Sequence, residues 1–82
     1  MNRKWVLQNL TEALEELTRT VRELQEDPEY DIGDFLPAMS HLYHHVNVAW
    51  NARDASESQL RELSDSDFKQ WSAFPTDMYL FE

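Results

Sequence analysis

The chain has 82 residues, 16 acidic and 7 basic side chains, a formal charge of −9 and no cysteine. That is enough for one domain, and it excludes a disulfide framework or a thiolate metal site; the acids, concentrated between Glu12 and Asp34, disfavour direct binding to nucleic-acid phosphates. Folding at this length removes only about 60 to 65% of the unfolded chain's surface from water, so stability needs support from aromatic bulk, close helix packing or oligomerisation.

Met1, Asn2, Arg3 and Lys4 open the chain on a basic note, but Gln8, Asn9, Thr11 and Glu12 break up the apolar residues beyond them. Neither a signal-peptide core nor a membrane span is expected, and a cytoplasmic location is the default. Leu7, Leu10, Leu14, Leu17, Val21 and Leu24 alternate spacings of three and four, the a/d pattern of consecutive heptads, which predicts a helix over about 3–26 with a narrow apolar seam. Glu12, Glu15, Glu16, Arg19, Arg22, Glu23 and Glu26 lie away from the seam on the solvated side. Asn2 is the expected N-cap, and Pro28 forces the end, because proline lacks the N–H and disfavours helical geometry in the residue before it.

Asp27 to Gly33 reads as a polar connection holding the chain's single glycine, a residue free to take a left-handed conformation at a reversal. Asp34 is the expected N-cap of a second helix over about 35–53, with Pro37 in its first turn. A short link between two long helices implies antiparallel neighbours. From Phe35 to Ala52 there is no Asp, Glu, Lys or Arg, in a chain where 28% of residues are charged. Phe35, Leu36, Met39, Leu42, Tyr43, Val46, Ala49 and Trp50 form a broad apolar arc at about 100° per residue. This arc is expected to face the first helix's leucine seam. The opposite strip, His41, His44, His45, Asn47, Val48 and Asn51, is polar yet uncharged and is expected to be an uncovered contact surface for a protein partner.

Beyond Arg53, Ser56 with Gln59 and Ser64 with Asp67 mark capping boxes for two short helices, the second carrying Phe68 and Trp71. Pro75 ends it. Met78, Tyr79, Leu80 and Phe81 are too apolar for a free tail and are expected to lie across the helical pair. The fold class expected is therefore all-α, a single helical domain over 1–82: an antiparallel pair of long helices with one or two short C-terminal helices, bundle-like, with dimerisation as one way of completing it.

His41 and His45, one turn apart, are the pair that could share a divalent metal. The run His41-Leu42-Tyr43-His44-His45 resembles the histidine-rich helix of metal-binding DinB-type four-helix bundles, whose HxxxH pair maps onto His41 and His45. The resemblance covers five residues and implies a third imidazole from another helix, which this chain of three histidines does not hold; an Asp or Glu from the first helix or the C-terminal segment would have to replace it. Nucleophilic catalysis and phosphate cradles find no support in a chain with one glycine and no cysteine. No enzyme activity and no cofactor are expected. The leading expectation is a noncatalytic protein–protein interaction module or accessory subunit, its partner a second copy or another protein, with neither nucleic acid nor membrane bound. Two alternatives remain: a metal-binding bundle using His41 and His45, and an acidic inhibitor or nucleic-acid mimic presenting Glu12, Glu15, Glu16, Glu23 and Glu26 to a basic groove.

Overall fold

The computed structural model describes residues 1–78. They form four helices, α1 (Arg3–Glu26), α2 (Ile32–Asn51), α3 (Glu57–Arg61) and α4 (Asp65–Ser72), and no strand. None of these helices is long and apolar enough to cross a membrane.

Local chemistry places the helix ends. The Asn2 side chain accepts from the Trp5 N–H at 3.1 Å and caps α1, satisfying one of the orphan donors of the first turn. Its amide also donates to the Ala55 carbonyl at 2.9 Å, and its backbone N–H to the Arg53 carbonyl, so the same residue ties the start of α1 to the segment after α2. Helix α1 ends one residue before Asp27, as Pro28 requires.

Helix α2 differs from expectation at both ends. It starts at Ile32, capped by Asp31, with Asp34 as the return half of a capping box. Either aspartate could cap from the sequence, but only Asp31 has a carboxylate three residues downstream to bond back to its own N–H. Gly33 therefore lies inside the first turn, and no described residue, glycine included, has a positive φ. Pro37 falls in the second turn rather than the first, depriving the Gly33 carbonyl of its helical donor. The helix stops at Asn51, two residues short of the expected end. Ser56 with Gln59 and Ser64 with Asp67 form the two expected capping boxes.

Helices α1 and α2 are antiparallel: Asn2 bonds beyond the end of α2, Asn9 meets His45, and Glu16 meets His41. Helix α2 also packs against α4. The core differs from the one the apolar pattern predicts. Its fully buried apolar residues are small, namely Ala13, Val48, Ala49, Ala52 and Ala55, with Trp5, Leu60 and Trp71 packed against Val48, Ala52 and Ala55. On α1 the buried strip is Asn9, Ala13, Glu16 and Thr20, spaced four, three and four. The leucine seam, expected inside, is exposed throughout, from 45% at Leu17 to 66% at Leu7. The two helices thus meet along small and polar residues, whose modest volume lets the backbones approach, and the larger aliphatic side chains are displaced to the flank.

Met78 lies beside Tyr43, Val46 and Trp50 of α2. The other three residues of the expected apolar tail, 79–81, lie outside the described residues.

Candidate functional site

Helix α2 has three sides, and each meets something different. The side toward α1 carries two histidines. His45 Nδ1 lies 3.0 Å from Asn9 Oδ1 and 3.1 Å from Glu12 Oε2, and its Nε2 lies 3.0 Å from His41 Nε2. His41 Nδ1 lies 3.5 Å from Glu16 Oε1, a buried carboxylate that also pairs with Arg19. A neutral His45 donating from Nδ1 is an acceptor at Nε2, the atom to which His41 Nε2–H donates. Val48, further along the same side, is 4% exposed.

The side toward α4 is a rack of amides. Asn47 Nδ2 donates to the Ser72 carbonyl at 2.9 Å, and Asn51 Nδ2 donates to the carbonyls of Trp71 at 2.9 Å and Ala73 at 2.6 Å. These acceptors belong to the last turn and cap of α4, where helical carbonyls have no donor within the helix. Two asparagines one turn apart supply it. His44 Nδ1 lies 2.7 Å from Ser72 Oγ, with its ring 4.9 Å from that of Phe68. Further along, Trp50 Nε1 donates to Asp77 Oδ1 at 3.0 Å, and the Arg53 guanidinium sits 4.0 Å from the Trp50 ring centre.

The strip expected to be open to a partner is therefore engaged inside the chain: His41, His45 and Val48 toward α1, and His44, Asn47 and Asn51 toward the end of α4. Only His41 keeps half of its side chain exposed.

The third side is apolar. Leu36, Tyr43 and Val46 are exposed, with Phe35, Met39 and Leu42 half-buried beside them. Around α1, the leucine seam is centred about 100° from the strip that meets α2, and around α2 the Phe35, Met39, Leu42, Val46 line is displaced from its α1-facing strip by a similar angle. In an antiparallel pair these displacements bring both lines to the same flank. One flank of the hairpin is consequently apolar along most of its length. The charged residues Glu12, Glu15, Arg19, Arg22 and Glu26 project from the other side of α1.

No family model, curated protein or solved structure matches the chain.

As metal ligands, His41 and His45 present two convergent imidazole nitrogens, with Glu16 and Glu12 lying against the opposite ring nitrogens, where carboxylates orient a ligand rather than complete its coordination. Among the described residues there is no group of three or more His, Cys, Asp or Glu placed to hold an ion. The residues that sequence reasoning missed are Asn9, Ala13, Glu16 and Thr20. Their four-three-four spacing was visible, but the leucines beside them carry the stronger hydrophobic signal.

Burial lowers the pKa of His44 below its ordinary value, and the neighbouring His45 and His41 lower it further. His45 is lowered chiefly by burial as well, partly opposed by Glu12. Both histidines resist protonation more in the folded chain than in the unfolded one. Their contribution to stability is thus complete above the unfolded histidine pKa of about 6.5 and is lost as the pH falls through the lower folded values. The melting temperature should fall on acidification below that point, and His44→Gln with His45→Gln should flatten the fall. An unchanged pH profile in the double variant would show that other groups govern it.

Proposed function

We propose that the protein is a noncatalytic association module whose working surface is the apolar flank of the α1/α2 hairpin. The observation that carries this reading is the seam of Leu7, Leu10, Leu14, Leu17, Val21 and Leu24, regularly spaced on a rigid helix yet exposed along all of α1. Single exposed leucines are ordinary; a contiguous strip flanked by a second apolar helix face marks an interaction surface. The polar constellations support it from the other side, because the histidines and asparagines of α2 are committed to holding α1 and α4, leaving the flank as the unassigned part of the helix. What the module offers is a preformed pair of helices, each contributing one apolar stripe to a bundle that another helical surface completes.

The absence of native cysteine makes the test direct. A thiol introduced as Leu14→Cys should react with maleimide at least about tenfold more slowly in intact cells that make the protein than after denaturation, whereas Glu15→Cys, its neighbour on the charged side, should react freely in both. Equal rates at the two positions in the native state would show that nothing covers the flank.

A further inference from the structure

We infer that the occupant of the apolar flank is a second copy of this chain, so that two hairpins form a four-helix bundle. This identifies the partner for the surface proposed above and rests on that reading.

Exposure points to an extended interface. The six residues of the α1 seam and Leu36, Tyr43 and Val46 of α2 are each 42% or more exposed, a contiguous apolar strip of the kind that marks an interaction surface. The core is correspondingly thin, because no large side chain among the described residues is fully buried. A chain this poorly filled needs its partner whenever it is folded, and the partner present in equal amount at every moment is the chain itself.

Charge favours a copy over a foreign basic surface. With Leu7, Leu14 and Val21 at a and Leu10, Leu17 and Leu24 at d, the e positions on the edge away from α2 are Thr11, Thr18 and Gln25, while Ala13 and Thr20 at g are buried against α2. None is charged. On α2 no residue from Phe35 to Ala52 is charged either. A surface built for a basic partner in a chain of charge −9 would be rimmed by the abundant acids, as an electrostatically matched interface requires. Here they are kept off the rim, the arrangement that lets two strongly acidic molecules approach without setting like charges against each other. The bundle core would be filled by Leu10, Leu14, Leu17, Met39, Leu42 and Val46 from each copy.

Sedimentation equilibrium on the purified full chain tests this. At high micromolar concentration the wild type should have twice the 9.8 kDa chain mass, unchanged in molar salt, with a melting temperature that rises with protein concentration. Leu14→Lys, at a position 62% exposed within one chain, should weaken the dimer by about a hundredfold or more, while Glu15→Lys leaves it intact. Loss of helical circular dichroism together with the dimer in Leu14→Lys, with both kept in Glu15→Lys, supports the inference equally, since the lone hairpin is underfilled. A folded wild-type monomer at that concentration overturns the second copy but not the association reading, which the labelling of Leu14→Cys in cells decides separately. A dimer that tolerates Leu14→Lys likewise overturns the second copy as the occupant of the flank and leaves the association reading to the labelling.

Discussion

Val48→Glu should unfold the protein. Val48 is 4% exposed and sits with Ala52 and Ala55 at the centre of the core cluster, under Trp5, Leu60 and Trp71. A carboxylate placed there either stays ionised without a partner or takes up a proton, and each route costs several kcal/mol. That is comparable to the whole stability of a domain this small, about 5 kcal/mol at the low end of the usual range. Circular dichroism should show the helical signal lost at neutral pH. Sequence patterning alone leads to the opposite outcome, since it places Val48 on an uncovered strip where the same substitution would separate an assembly and spare the helices. A folded Val48→Glu chain melting within a few degrees of wild type would restore the patterning view and discard the packing described above.

The second large effect is at Trp5. In the first turn of α1, this indole packs against the Val48, Ala52 and Ala55 cluster and so joins α1 to the segment that carries Leu60 and Trp71. Trp5→Ala should cost about 2 to 4 kcal/mol, somewhat under the usual range for removing a core tryptophan because Trp5 is only partly buried. Its buried Nε1 has no hydrogen-bond partner among the described residues, so the ring supplies volume without a polar contact. Trp5→Phe, which keeps one aromatic ring and leaves a smaller cavity, should therefore cost about half as much as Trp5→Ala. Urea unfolding of the two variants separates these contributions. A phenylalanine variant as unstable as the alanine one would mean that the indole N–H is bonded to something essential.

The helices themselves were legible in the residues because their ends are decided locally. Asn2, Ser56 and Ser64 cap where a short polar side chain can reach a free N–H, and Pro28 stops α1 because it has none of its own. The start of α2 was less legible. Asp31 and Asp34 are both good caps three residues apart, and Gly33 between them suggested a loop; the choice turned on a reciprocal bond that two aspartates can make in only one register.

Periodicity also showed truly which side chains share a face, but a face does not name its neighbour. The leucines of α1 and the apolar arc of α2 are genuine stripes, and the inference that they face each other assumed that one chain must bury its own largest apolar surface. Only the tertiary structure decided otherwise. Asn9, Glu16, His41 and His45 can satisfy one another across α1 and α2, and Asn47 and Asn51 can supply donors to the end of α4. Those contacts are specific in distance and direction, whereas burial of leucine is not directional and can be met by any apolar surface, including one on another molecule. The sequence by itself determined two long helices, their antiparallel order, one or two short helices after them and the two kinds of stripe that the long pair carries. The pairing of the stripes was left to three-dimensional fit, because matched polar groups let α1 and α2 meet along Asn9, Glu16, His41 and His45 while the leucines remain on the flank.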